Sequence, residues 1–506
     1  MIRRTFIKQL GVSTLTLPFL SCNLGTTADK KGKSKRPNIL FIGLDDLNDW
    51  VGCMGGNTMI KTPNIDRLAS EGTLFTRAFC AAPACTPSRT SMLTGYRPSS
   101  SGVYDNMTYY WRDNPALKDT VTLPQFFREN GYRSMGGGKI FHALSWISES
   151  YGTNQNDDRS WDDYFPSIEK PMPDFDFEFP DDTKDTGALK TWEPYAKGNT
   201  GRRPVYYFDW EGLDIAESET SDYKVAQWAG QQLKQLDESQ PFFLAMGIFH
   251  PHIPWYVPKK YYELYPLEEI KVPLSPDDDL SDLPPMGVQM ASGRRGWHKW
   301  LFENGLWKHA VQGYMASISY ADAQIGRVLD VLDNSIHKNN TIVVLWSDHG
   351  FHLGEKQTWE KFTLWEEAGR VPLIIKVPGL TQANSRCDEP ASLLDLYPTL
   401  AELCNLPVPK HVEGRSLVSL LKQPNQDDGR TVVTTFGVNN HAVRSKRWRY
   451  IRYHDGSEEL YDHDHDPGEF YNLAGKDEYQ SVISRLAQDI PTVNVDEYVT
   501  TKANLK

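Results

Sequence analysis

Three uninterrupted apolar runs, each followed at once by acidic or histidine residues, restrict the fold of this chain more than any other feature. The runs are residues 37–44, 241–249 and 341–346, and the residues after them include Asp45 and Asp46, His250 and His252, and Asp348 and His349. Such runs are typical of strands buried on both faces of a mostly parallel sheet. The carboxyl ends of parallel strands gather ligands in α/β proteins. We therefore expect an α/β fold with its site at that edge.

Asp45, Asp46 and Asp348 are predicted to form an oxygen-rich cage for Ca²⁺ or Mg²⁺. Adjacent carboxylates at the end of a buried strand repel each other and lose hydration unless a cation or solvent compensates them. The alternative for Asp45 and Asp46 is a solvated acidic turn. His250 and His252 alternate with proline and are a weak metal signal. A protonated histidine that faces a leaving-group oxygen fits His252 better.

The run from Cys85 to Gly95 has the composition of a reactive site. Pro87 fixes the backbone just beyond the thiol, Ser88 and Thr90 favour a helix start, and Arg89 places a permanent cation nearby. A helix N-terminus beside arginine lowers the pKa of a thiol. The alternative is a small buried cysteine in a turn.

Lys139, His142 and Lys361 are candidate ligands for an anion. Residues 136–138 are glycines, which allow a backbone to approach a ligand closely, and Lys139 and His142 supply two donors. The ordinary alternative for both lysines is exposure on the surface. The net charge of −12 argues against nucleic-acid binding and offers no general attraction for an anionic polymer. A local cationic pocket must therefore bind any anion.

The length of 506 residues predicts one large domain with a smaller companion. We assign residues 37–407 to the catalytic domain and residues 408–506, which contain short β-like segments, to a C-terminal α+β subdomain. Residues 143–230 have little periodicity and are predicted to form long loops over the active face. The turn at residues 463–466 is predicted to be solvated and acidic, although its histidines resemble a metal site.

Local signals predict further elements. A helix is expected to begin at Pro63, with Thr62 as its cap, and to be closed by Gly72. Further helices are expected from Leu123 to Gly131 and over residues 316–332, and a further buried strand over residues 371–375.

Residues 1–21 read as an export signal, because a charged start is followed by an uncharged run too short to span a bilayer. Arg3 and Arg4 resemble a twin-arginine signal. Cys22 ends an imperfect lipoprotein processing site, which would make it the mature N-terminus. Residues 22–36 form a polar linker. A bacterial periplasmic or envelope location, with membrane tethering only through a lipidated Cys22, follows.

The segment from Cys85 to Gly95 resembles the signature of type I sulfatases, in which this cysteine is oxidised to formylglycine. Asp45-Asp46, residues 62–69, residues 138–142, residues 251–254, residues 347–350 and the segment from Gly354-Glu355 to Lys361 occur in the order of that family. The similarity is greatest to its iduronate-2-sulfatase-like members. The resemblance implies an alkaline-phosphatase-like α/β/α sandwich with a mostly parallel central sheet and a smaller C-terminal α+β domain.

The resemblance also implies roles for single residues. Calcium would be surrounded by Asp45, Asp46, Asp348, His349 and the modified Cys85. Arg89, Lys139 and Lys361 would hold the sulfate and the nucleophile, and Asp348 would help to deprotonate the nucleophile. His252, assisted by Lys361, would protonate the leaving oxygen, and His142 would deprotonate the second hydroxyl of the hydrated aldehyde. His349 stands where many sulfatases carry asparagine, so its direct ligation of calcium stays open.

The implied substrate is a sulfated polysaccharide or oligosaccharide, such as ulvan or a glycosaminoglycan. The implied partner is a formylglycine-generating or anaerobic sulfatase-maturating enzyme. His250, Phe351 and residues 143–230 depart from the family pattern and are expected to read the sugar. Two alternatives remain at this stage: a phosphonate or phosphodiester hydrolase of the same superfamily, and a sulfated-glycan binding protein whose Cys85 is never modified.

Overall fold

The computed structural model describes residues 36–106, 108, 111–142, 157–167, 208–292 and 296–499. The predicted export signal and all of the linker except Arg36 lie outside these ranges. So do residues 143–156 and 168–207 of the expected loops. None of the helices in the described ranges combines the length and the apolar content needed to cross a bilayer.

The strands lie in two main sheets and two short pairs. They are β1 (Asn38–Leu44), β2 (Thr73–Phe79), β3 (Arg133–Gly138), β4 (Asp163–Phe165), β5 (Trp210–Leu213), β6 (Phe242–Gly247), β7 (Trp255–Pro258), β8 (Thr341–Ser347), β9 (His352–Leu353), β10 (Trp359–Glu360), β11 (Arg370–Lys376), β12 (Ser385–Cys387), β13 (Ala391–Ser392), β14 (Val432–Thr435), β15 (His441–Arg444), β16 (Trp448–Arg452) and β17 (Glu458–Asp462).

The helices in the described ranges surround these sheets. They are α1 (Pro63–Glu71), α2 (Cys85–Thr94), α3 (Pro98–Ser101), α4 (Leu123–Glu129), α5 (Ser221–Gln235), α6 (Lys259–Tyr262), α7 (Pro285–Ser292), α8 (Trp297–Glu303), α9 (Trp307–Asp333), α10 (Glu366–Gly369), α11 (Leu396–Leu403), α12 (Val418–Lys422) and α13 (Gln480–Leu486).

The central sheet has the strand order β12-β2-β11-β8-β1-β6-β3-β4, with β13 also paired to β2. Pairing is parallel throughout except at β11, which runs antiparallel to both β2 and β8. Every residue of β1, β6 and β8 is buried, as expected for strands covered on both faces. The predicted α/β architecture with a mostly parallel sheet is confirmed.

The C-terminal part carries the second sheet, an antiparallel meander in the order β14-β15-β16-β17. Helix α13 packs on it through Ile483 and Leu486, which share a core with Val443, Tyr450 and Leu460. Hydrogen bonds connect this sheet to the segment before Cys85, from Thr434 Oγ1 to the Cys80 carbonyl at 2.7 Å and from Thr435 N to the Ala81 carbonyl at 2.9 Å.

Several local predictions need correction. Residues 157–167 and 208–230 are not structureless, because they contain β4, β5 and most of α5. Helix α9 begins nine residues before the predicted start at residue 316, and Ala310, Val311 and Tyr314 in this added part are buried. Helix α2 begins at Cys85 itself rather than at Ser88 or Thr90.

Helix α1 begins at Pro63 as predicted, but its neighbour Thr62 does not cap it. Asp322 of α9 accepts hydrogen bonds from Asn64 N at 3.0 Å and Ile65 N at 2.8 Å instead. A carboxylate distant in sequence therefore satisfies the free amides at this helix start.

Candidate active site

The carboxyl ends of four neighbouring strands place the predicted residues together. Asp348 N donates to the Leu44 carbonyl at 3.2 Å, and Lys139 N donates to the Gly247 carbonyl at 3.0 Å. Gly138 has φ +74°, and a Cβ there would lie 1.9 Å from the Gly247 oxygen. The close approach of β3 and β6 therefore requires glycine at the position before Lys139.

Cys85 is the first residue of α2, and 1% of its surface is exposed. Its Sγ lies 3.2 Å from His349 Nε2, 3.6 Å from Asp45 Oδ1 and 4.0 Å from Lys139 Nζ. Burial opposes ionisation of the thiol, but Lys139, Lys361 and His349 lower its pKa well below the ordinary value. The sequence predicted this direction, and the cations responsible include two lysines that are remote in sequence.

Arg89 is fully buried and its donors all face protein acceptors. Its Nε donates to Asp348 Oδ2 at 2.8 Å, and its terminal nitrogens donate to the carbonyls of Lys139, Ile140 and Leu44. Burial disfavours the charged guanidinium, but Asp348 and Asp45 raise its pKa above the usual value. Arg89 is thus placed to hold Asp348 and the backbone before His142.

The two predicted lysines each donate a hydrogen bond to one of the two adjacent carboxylates. Lys139 Nζ donates to Asp45 Oδ2, and Lys361 Nζ donates to Asp46 Oδ1 at 2.6 Å. Burial opposes the charge on Lys361, but Asp46 raises its pKa well above the usual value. The carboxylates are therefore partly compensated by lysines, which the argument from carboxylate repulsion did not foresee.

His252 and His142 approach the cluster from different segments. His252 Nδ1 contacts the Ile253 carbonyl at 2.5 Å, and its Nε2 lies 3.7 Å from Asp46 Oδ2. Its side chain is 18% exposed, so the ring is within reach of a bound molecule. His142 lies beside Cys85, and burial lowers its pKa although the thiol opposes that change.

The donor set fits a divalent cation. One ligand atom each from Asp45, Asp46, Cys85 and His349 lies within 4.8 Å of the others. Asp46 Oδ2 and His142 Nδ1 are buried without a hydrogen-bond partner among the described residues. A buried carboxylate oxygen without a donor is costly, and a metal ion would satisfy it.

Asp348 lies next to this group, and neighbouring donors hold its carboxylate. Its Oδ1 accepts from Asp46 N at 3.2 Å and from His349 N at 3.0 Å, while Arg89 occupies Oδ2. Burial raises the pKa of Asp348 to about 7 even though Arg89 opposes that change. Burial also opposes protonation of His349, but Asp348 and Cys85 raise its pKa to about 9.

The expected sugar-reading residues behave differently from the prediction. Phe351 is fully buried and packs on Tyr314 and Trp255, so it belongs to the core. His250 is 4% exposed, and its Nδ1 lies 2.7 Å from Asp222 Oδ2. Asp222 also accepts from the backbone of Phe249 at 2.8 Å, which fixes the end of β6. Nothing in the sequence around Asp222 indicated this contact.

The turn at residues 463–466 is solvated only in part. His463 turns inward, where its Nε2 lies 2.9 Å from Glu469 Oε1 and 3.7 Å from Glu366 Oε2. These three residues could in principle hold a metal ion. Arg444 and Arg449 already pair with Glu366, however, so the group is a buried ion-pair network.

Comparisons with known proteins agree with this geometry. The sulfatase family model matches residues 37–406, and a model described as N-sulphoglucosamine sulphohydrolase, C-terminal, matches residues 354–496. A sulfatase of Formosa agariphila is 38% identical over 487 residues, covering 95% of this chain and 91% of its own. Human iduronate 2-sulfatase is 34% identical over 431 residues, covering 78% and 74%.

The fold is also shared with solved structures. A phosphonate monoester hydrolase from Silicibacter pomeroyi superposes with a TM-score of 0.68 at 21% identity, covering 89% of this chain and 94% of its own. At that identity the likeness concerns the fold alone.

Proposed function

The chain belongs to the sulfatase family and is a sulfuric ester hydrolase, and we propose that it desulfates a sulfated polysaccharide or oligosaccharide through formylglycine made from Cys85, beside a calcium ion. The observation that carries this proposal is the position of Cys85 at the start of α2. There it contacts Asp45, His349 and Lys139, and its sulfur lies within 4.8 Å of a carboxylate oxygen of Asp46.

Calcium would be held by Asp45, Asp46 and residue 85, with Asp348 and His349 beside it, and would supply positive charge against the sulfate oxygens and the nucleophile. The hydrated aldehyde at position 85 supplies one hydroxyl for attack on sulfur and a second whose deprotonation lets sulfate leave.

The charged residues of the chain orient these groups. Arg89 fixes Asp348, whose carboxylate can accept a proton from the attacking hydroxyl. The ammonium groups of Lys139 and Lys361 are preorganised at the site and can bind sulfate oxygens. Together with the calcium ion they would supply the local positive charge that a chain with a net charge of −12 needs.

Two histidines are placed for proton transfer. The contact of His252 Nδ1 with the Ile253 carbonyl directs Nε2 toward the carboxylates, where it can protonate the departing sugar oxygen. His142 has a lowered pKa and lies beside residue 85, so its neutral ring can take the proton of the second hydroxyl.

The carbohydrate substrate is supported by the family and by the name of the human relative, iduronate 2-sulfatase. Ulvan and glycosaminoglycans are the polymers to test first. We also propose export to the bacterial envelope, with lipidation at Cys22, on the strength of residues 1–22. The mass of the mature N-terminal peptide tests this part.

The test of the reaction combines mass and turnover. Protein made with a maturating enzyme is expected to contain formylglycine at position 85 and to release sulfate from defined sulfated oligosaccharides. Cys85→Ala should fold and release none. Retained activity in that variant would contradict the mechanism, and so would an unmodified thiol in active wild type. A large preference for an aryl phosphodiester over an aryl sulfate would favour a phosphodiester hydrolase instead.

A further inference from the structure

Lys356 lies at the tip of the β9–β10 hairpin and is almost completely buried, with 2% of its surface exposed. Its ammonium donates to Asp279 Oδ1 at 2.6 Å and to the carbonyl of Glu469 in the C-terminal part. The rings of Trp365, Tyr461 and Phe470 surround it at 5.4–5.9 Å. A buried lysine in such surroundings fixes the position of its backbone, and its loss leaves Asp279 uncompensated.

The hairpin that Lys356 holds presents Lys361 to the reactive cluster. β9 and β10 pair only through Leu353–Trp359 and His352–Glu360, and Lys361 follows immediately. The backbone has positive φ at Lys356, Gln357, Glu360 and Phe362. Non-glycine residues adopt this conformation only where the surroundings enforce it.

The other end of the segment is joined to the reactive cysteine. Phe362 N donates to the Pro83 carbonyl at 3.1 Å, two positions before Cys85. Lys361 therefore lies between two attachments, one at the hairpin tip through Lys356 and one at the turn that leads to Cys85. The first attachment reaches the C-terminal part through Glu469, whose carboxylate also pairs with Arg449 at 2.6 Å.

We propose that Lys356 is a positioning residue for Lys361. Through its bond to Lys356, the C-terminal part would help to keep Lys361 in place for the reaction. The ion pair to Asp279 and the bond to Glu469 hold the strained hairpin so that the Lys361 ammonium stays on Asp46. The kinetic consequence rests on the proposed function, whereas the structural consequence does not.

The structural test compares Lys356→Met with Lys376→Met by hydrogen exchange of the full chain. Lys376 pairs with Glu71 Oε2 at 2.5 Å, near the start of β8 and away from the carboxyl ends of the parallel strands. The same change there therefore breaks a lysine–carboxylate pair far from the hairpin. We expect exchange in residues 352–363 to rise about tenfold in Lys356→Met only. Unchanged exchange would overturn the proposal. Asp279→Asn serves as a second variant if Lys356→Met does not fold.

The kinetic test is a double-mutant cycle of Lys356→Met with Lys361→Met, measured on enzyme whose Cys85 has been converted to formylglycine. Lys356→Met should lower kcat on a sugar sulfate about tenfold or more, because small displacements of a catalytic group are costly. In the Lys361→Met background the further loss should be less than about twofold. Equal losses in both backgrounds would overturn the proposal. A wild type that hydrolyses no sulfate ester would contradict the proposed function, and the exchange test would then decide the role of Lys356.

Discussion

Calcium binding at the reactive cluster is expected to stabilise the folded chain, by an amount that mass action sets at a given free calcium concentration. Asp46 Oδ2 is buried without a hydrogen-bond donor, while Lys139 already bonds Asp45 Oδ2 and Lys361 bonds Asp46 Oδ1. The binding free energy of the ion should therefore come mainly from its contact with Asp46 Oδ2. The ion must compete with Lys139 and Lys361 for the other carboxylate oxygens. At a free concentration of 100 times its Kd, the ion would raise the free energy of unfolding by about 2.7 kcal/mol.

The corresponding rise in Tm is small because the folded part is large. The roughly 400 described residues at about 2 cal/mol/K each give an unfolding entropy near 0.8 kcal/mol/K, so Tm should rise by about 3 °C. The assay is thermal unfolding of chelator-treated protein with calcium added back, which requires neither turnover nor conversion of Cys85.

Two variants make the measurement specific. Asp46→Asn removes the charge of the carboxylate whose Oδ2 accepts no hydrogen bond and should abolish the calcium-dependent rise. Asp322→Asn alters a buried carboxylate on α9 that caps α1, so the rise should persist. The reasoning is refuted if saturating calcium leaves the Tm of the wild type unchanged, or if Asp46→Asn responds as the wild type does.

Three further predictions concern local contacts. Gly138→Ala should lower the free energy of unfolding by about 1–3 kcal/mol and reduce activity, because the added Cβ meets the Gly247 oxygen. Gly131→Ala is the control: it also has positive φ but lies in open space, so it should lose only the free energy of placing alanine at positive φ. Equal losses in denaturant titrations of the two variants would contradict this prediction. Asp322→Ala should lower the free energy of unfolding by about 1–2 kcal/mol, and Asp322→Asn, which keeps an acceptor oxygen, by less. Burial lowers the pKa of His441 from 6.5 to about 4, so the stability it contributes is present above pH 6.5 and is lost as the pH falls to 4, on the order of 3 kcal/mol. His441→Gln should show a correspondingly weaker loss of stability between pH 7 and pH 4, and an unchanged pH dependence would be evidence against this assignment.

The sheet could be predicted because its determinants are local. The buried runs around Phe41, Leu244 and Val344 contain no polar alternation, so their strands and their parallel arrangement could be read from the chain. The same rule placed Asp45 and Asp348 at one edge. Contacts between distant segments were beyond this reasoning, because neither the Asp222–His250 pair nor the capping of α1 by Asp322 leaves a local signal.

The predicted site residues illustrate the same difference. Residue type and order indicated that Lys139, Lys361 and His252 approach the reactive cysteine. They did not reveal that Lys139 and Lys361 form ion pairs with Asp45 and Asp46, or that Arg89 donates its hydrogen bonds to protein oxygens. Those facts depend on side-chain geometry that only the assembled sheet defines.

The burial of residue 85 restricts when this residue could be modified. The sulfhydryl is 1% exposed, and the segment before it bonds to Thr434, 354 positions further along the chain than Cys80. If residue 85 is converted as we propose, the oxidising enzyme would have to bind this segment in an open form, before residues 408–506 close over it. Molecules that fold before conversion would keep an inaccessible thiol, so the maturating enzyme would have to act before folding is complete.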